Sequence, residues 1–172
     1  MAGTFNAQDV ANTLWAFATM GREPRAGLMR VPKGRAEEMA GTFNAQKASN
    51  TLWAFATMRR EPGEGLMRVL EGRAQAVADT FSAQSLANVL WAYVTIGRKP
   101  GDGITGVMER QSEAVADTFS AQGVVHMLWA HAKVERKPGA GLRRLLEVQA
   151  EAVAGTFKAQ NVANTLWAFA TI

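Results

Sequence analysis

The stretch Phe43-Asn44-Ala45-Gln46-Lys47-Ala48-Ser49-Asn50-Thr51-Leu52-Trp53-Ala54 returns later as Phe157-Lys158-Ala159-Gln160-Asn161-Val162-Ala163-Asn164-Thr165-Leu166-Trp167-Ala168. The two are members of one series. Trp15, Trp53, Trp91, Trp129 and Trp167 are each 38 residues apart, and so are Phe5, Phe43, Phe81, Phe119 and Phe157. Gln8, Gln46, Gln84, Gln122 and Gln160 keep the same step, as do Pro24, Pro62, Pro100 and Pro138. No insertion or deletion disturbs the register. A fixed period of this kind marks a repeat protein, and the repeat decides the fold.

Within one unit the apolar pattern has helical spacing. Leu66, Val69, Leu70, Ala74, Val77, Ala78 and Phe81 share one face of a first helix, helix A, which the pattern carries from Gly65 to Phe81. Ser82 stands at an N-cap position. A second helix, helix B, follows from about Ala83 to Ile96 with Leu86, Ala87, Leu90, Trp91 and Val94 on its apolar side. Gly97 and Pro100 end it. The chain begins with a helix B (Asn6 to Met20), and four A–B pairs follow, giving nine helices. One pair cannot bury its own apolar face, but a stack can. The expected fold is therefore an all-α solenoid of helix–turn–helix repeats wound as a right-handed superhelix. The units are 1–24 (helix B only), 25–62, 63–100 and 101–138, with 139–172 as a shortened last repeat. Ala16, Ala54, Ala92, Ala130 and Ala168, beside each Trp, suit close helix contact. The Trp column itself reads as core. Neither end carries a polar cap, so the array is expected to continue or to self-associate through its ends.

The period excludes tetratricopeptide, ankyrin and leucine-rich repeats, while HEAT and armadillo units run longer. The Gln–Asn–Leu–Trp–Ala pattern of helix B resembles the octotricopeptide repeat of algal organelle proteins, a 38-residue unit. It is also similar to the helical repeats of RAP-domain and FAST-kinase-like proteins. The resemblance spans essentially the whole chain. Helix A departs from that family's Pro-Pro-Pro-Glu-Trp opening, with Pro62-Gly63-Glu64-Gly65-Leu66 and Pro100-Gly101-Asp102-Gly103-Ile104 in its place. The resemblance implies sequence-specific binding of single-stranded RNA in a chloroplast or mitochondrion, in transcript processing, stability or translation control. The N-terminus, Met1-Ala2-Gly3-Thr4-Phe5-Asn6, has neither a signal-peptide nor a transit-peptide layout. No apolar run is long enough to span a membrane.

Charge points the same way. The chain has 172 residues, 19 of them basic and 15 acidic, for a net charge of +4. The windows 21–30, 59–68, 97–106 and 135–144 hold 12 of the basic residues and 5 of the acidic ones. One edge of the solenoid is thus positive, while the remainder is slightly negative. Arg22, Arg60, Arg98 and Arg136 recur at 38 residues, and Arg30, Arg68 and Arg144 make a second row. These are candidate phosphate contacts, because a row of arginines neutralises a linear polyanion. Arginine at a helix C-terminus also has a purely structural use against the helix dipole.

Met29, Met67, Thr105 and Arg143 share one helix A position, expected to be exposed and variable, and are candidate base readers. Glu71, Glu109 and Glu147 lie nearby. Gln84 with Asn88, and Gln8 with Asn12, stand four apart on helix B and read as a polar ladder bonding neighbouring repeats. At one base per repeat, the array addresses about four bases. No cysteine is present, which excludes thiolate metal sites and cysteine nucleophiles. His126 and His131 are five apart, not on one face, so no metal site is expected. No phosphate loop, nucleophile elbow or zinc-protease motif occurs. The expectation is a binding protein without enzymatic activity or cofactor, whose partner is single-stranded RNA. The alternative is a protein-interaction scaffold of HEAT or tetratricopeptide type, which would expose an apolar groove.

Overall fold

The computed structural model describes residues 6–21, 26–134 and 137–171. These form nine α-helices: α1 (Ala7–Thr19), α2 (Ala26–Met39), α3 (Ala45–Thr57), α4 (Glu64–Ala76), α5 (Ala83–Ile96), α6 (Asp102–Ala114), α7 (Ala121–Lys133), α8 (Ala140–Val153) and α9 (Ala159–Thr171). The odd-numbered helices are the helices B, and the even-numbered ones are the helices A. Among the described residues there is no strand, and no helix is long and apolar enough to cross a membrane.

The local signals act as their chemistry requires. Ser82 caps α5 by accepting from the backbone N–H of Ser85 at 3.2 Å, and Ser120 caps α7 through Gly123. Asn6 forms a full capping box with Asp9 at the start of α1. Gly97 takes φ 81 and closes α5, with the N–H of Arg98 returning to the Tyr93 carbonyl at 2.9 Å. Helix A is shorter than its apolar pattern suggests. It ends at Ala76, and Ala78–Thr80 tightens into a 3₁₀ turn. The Thr80 hydroxyl there donates to the Val77 carbonyl at 2.7 Å, competing with helix continuation. Thr42, Thr118 and Thr156 repeat this bond.

Packing is asymmetric. Each helix B lies extensively against the next, whereas successive helices A meet only locally. Ala54, Ala92 and Ala130 are fully buried and let the helices B approach closely. Phe43, Phe81 and Phe119 are buried in the same core as Leu52, Leu90 and Leu128. Met29, Met67 and Thr105 belong to this core as well. Met67 is 1% exposed, which corrects the expectation of an exposed helix A position. Their side chains point into the packed layer, and only Arg143 in the last repeat is exposed, pairing with Glu147 at 3.0 Å.

A second tie joins the repeats. Arg73 Nε donates to the Phe43 carbonyl at 2.5 Å, Gln111 Nε2 to the Phe81 carbonyl at 3.0 Å, and Gln149 Nε2 to the Phe119 carbonyl at 2.7 Å. Each bond runs from a helix A into the turn preceding helix B of the unit before it. Gln111 also reaches the Asp79 carbonyl at 3.2 Å. Removing it in Gln111→Ala leaves carbonyls without their donor and should cost about 1–2 kcal/mol in chemical denaturation.

Pro32 lies inside α2, buried in the column that holds Leu70, Met108 and Leu146 elsewhere. Proline there forfeits a helix hydrogen bond and fills less space than leucine. Pro32→Leu should therefore stabilise the chain by about 2–3 kcal/mol, read as a higher denaturation midpoint.

Candidate nucleic-acid interface

Because the helices B pack closely and the helices A do not, the helices B line a groove. One stretch is bordered by residues of α1, α3, α5 and α7, including Trp15, Asn50, Trp53, Asn88 and His126. An adjoining stretch adds Gln46, Asn44 and Ser82. Neither stretch is lined by any helix A residue.

Each helix B contributes a strip with spacing i, i+4, i+7, which falls on one helical face. In α3 it is Gln46, Asn50 and Trp53, and in α5 it is Gln84, Asn88 and Trp91. The Gln side chains are exposed in all five repeats. The expected polar bonds between neighbouring repeats are not what forms. Gln8 donates to Asn12 at 2.9 Å and Gln160 to Asn164 at 2.9 Å, both within one helix. In the central helices α3 and α5 the amides of Gln46, Asn50, Gln84 and Asn88 make no hydrogen bond with any described residue.

The indoles are not buried core, contrary to the sequence reading. Trp15 is 48% exposed and Trp167 42%, while Trp53, Trp91 and Trp129 are half-buried. Trp53 and Trp91 rest one side on the core. Close helix B packing takes up Leu14, Leu52, Leu90 and Leu128, beside the first four Trp residues, and leaves those indoles on the groove edge.

The α7 strip differs. His126 stands where the other repeats have Asn, and its ring stacks on Trp91 with centroids 5.9 Å apart and planes 23° from parallel. Lys133 puts its ammonium 4.9 Å from the Trp167 ring and 6.0 Å from Trp129.

The arginine rows fare unequally. Arg22 and Arg136 lie outside the described residues. Arg98 is engaged by Glu61 at 2.6 Å and by Glu64, so it closes a bridge between two repeats instead of standing as a bare cation. Arg60 is half-buried. Arg30, Arg68 and Arg144 are exposed on the helices A, away from the groove lining. Glu71 accepts a 2.7 Å hydrogen bond from the buried Tyr93 hydroxyl; burial first, and this carboxylate second, push the Tyr93 phenol above its ordinary range. The sequence reading looked for readers on helix A. The signal that marks the groove was present on helix B, as a Gln exposed and unchanged five times over.

This fold and surface define a short-period α-solenoid whose inner face carries polar and aromatic side chains in register. The family model of the RNA-editing substrate-binding complex 6 protein matches residues 1–172, and the chain belongs to that family. It is thus an RNA-associated helical repeat protein. No curated protein sequence matches it.

Burial holds the His126 pKa below its ordinary value. The unfolded imidazole takes up a proton near pH ~6.5. The folded one resists protonation until lower pH, so below about 6.5 the unfolded state binds more protons. Stability should fall as pH drops through this window. In His126→Asn that component of acid sensitivity should vanish, measured as the thermal midpoint between pH 7.5 and 5.

Proposed function

We propose that the chain binds single-stranded RNA in a sequence-dependent manner, as a non-catalytic member of an organellar RNA-processing assembly. The observation that carries this reading is the groove itself, which crosses four helices B with partly exposed indoles on one face and, in the central α3 and α5, with unpaired amides beside them. Amides carry both donor and acceptor for base edges, and indoles offer stacking surface to any base. The family's RNA-editing name supports an RNA partner, and the octotricopeptide-like helix B supports sequence dependence. The mitochondrion suits an RNA-editing family; nothing found favours the chloroplast. Exposed Arg30, Arg68 and Arg144 supply long-range attraction for the polyanion.

The scaffold reading has its own support in Val148, Val162 and Leu166, exposed apolar side chains of α8 and α9. Amides that lack partners in the central groove weigh against an apolar peptide as its ligand.

Fluorescence anisotropy with labelled RNA decides between them. The chain should bind mixed single-stranded RNA, weaken with rising salt, and leave double-stranded DNA largely unbound. Arg68→Glu with Arg144→Glu should lower affinity for all sequences alike, and the loss should be largest at low salt, where long-range attraction is least screened. A folded chain that ignores single-stranded RNA at low salt overturns the reading.

A further inference from the structure

We propose that the groove holds nucleobases in slots formed between adjacent repeats, each made by the Trp of one helix B and the Asn of the next, and that His126 occupies one such slot. This rests on the RNA-binding reading above and says where the bases go. The slots are Trp15 with Asn50 and Trp53 with Asn88.

Three observations bring these residues together. First, the His126–Trp91 stack gives the geometry directly. His126 lies 35 residues after Trp91, and Asn50 and Asn88 lie 35 residues after Trp15 and Trp53. The distance between a Trp and the next helix therefore admits a planar ring stacked on the indole, since in one slot the chain places its own ring there with centroids 5.9 Å apart and planes 23° from parallel. Where Asn replaces His, the side chain carries no ring, and the indole face is open toward an amide.

Second, Trp15, Asn50, Trp53 and Asn88 all border the same groove, so consecutive slots are connected and can take consecutive bases of one strand. Third, these amides have no structural partner among the described residues, yet they recur. Gln46 and Gln84 stay Gln and exposed, while the next position along the same helix B reads Asp9, Lys47, Ser85, Gly123 and Asn161 in turn. Gln8 and Gln160 pair with an Asn of their own helix, but a Gln kept and exposed in the central repeats, where it bonds to nothing in the fold, has a use outside the fold.

The chemistry is that of base recognition. A base stacks on the indole and presents its edge to the Asn amide of the next helix, which donates and accepts at once. Gln84, four residues before Asn88 on the same face, supplies a further donor and acceptor. In the α5–α7 slot, His126 covers Trp91 and blocks entry. The array thus carries two open slots and one filled by its own residue between α1 and α7.

The test uses the 172-residue chain with uridine, adenosine, cytidine and guanosine oligomers of two to eight nucleotides. Asn50→Ala with Asn88→Ala should weaken binding to the preferred oligomer by at least roughly tenfold and flatten the preference among the four. Alanine favours the helix, and circular dichroism confirms that the variant is folded. His126→Asn, which opens the third slot, should tighten binding roughly fivefold and lengthen by one nucleotide the shortest oligomer that binds fully. Arg68→Glu with Arg144→Glu should weaken all four homopolymers equally and leave the preference intact. If the wild-type chain binds RNA but the double Asn variant binds as tightly and as selectively, the slots are overturned while the RNA reading stands. If His126→Asn changes neither affinity nor minimal length, the blocked slot is overturned. If the wild-type chain binds no single-stranded RNA, both readings fall together.

Discussion

The contact of one helix B with the next sets the shape of everything around it. Alanine at the position after each tryptophan brings the backbones of α3, α5 and α7 close, and leucine at the position before it fills the seam. Helices packed this closely on one side and loosely on the other must curve. The groove exists because of that imbalance, and so does the half-exposure of the indoles. A tryptophan has too much surface to follow leucine into the seam. It lies across the edge, with one side on the core and the other open.

Much of the architecture was legible in the sequence. The 38-residue step, the Ser82 cap, the Gly97 stop and the nine helices all follow from rules of local chemistry, and they hold. The end of helix A was not legible, because Val77 and Phe81 continue its apolar spacing beyond the point where the Thr80 hydroxyl tightens the turn. Two assignments of side chains to surfaces also failed. Tryptophan at helical spacing reads as core, and the variable helix A position of Met29, Met67, Thr105 and Arg143 reads as surface. Both turned on which helix lines the inner face. Periodicity gives the face of each helix but not the spacing between like helices, and that spacing separates a buried Met67 from an exposed Trp15.

The arginines show a related limit. A residue type recurring at a fixed period was taken for a uniform ladder, but Arg98 is bound by two carboxylates, one of them in the turn before α4, while Arg68 is exposed. Thirty-eight residues on, Glu64 is matched by Asp102, but Glu61 is matched by Lys99, so the next repeat cannot form the same double bridge. Charge sorted along a sequence therefore says little about which cations remain available until their neighbours in the adjacent repeat are known.

The bond from helix A into the preceding turn has an evolutionary consequence. Its donor and acceptor are 30 residues apart, at Arg73 and Phe43, Gln111 and Phe81, and Gln149 and Phe119. Any 38-residue block copied in tandem, wherever its ends fall, presents to its neighbours the acceptor and the donor that they need. Unequal exchange between gene copies can thus lengthen or shorten such an array by whole units without an unmatched joint. An array built this way changes the number of its repeats more readily than the nature of any one of them, and a single exchanged side chain such as His126 becomes the finer means of variation.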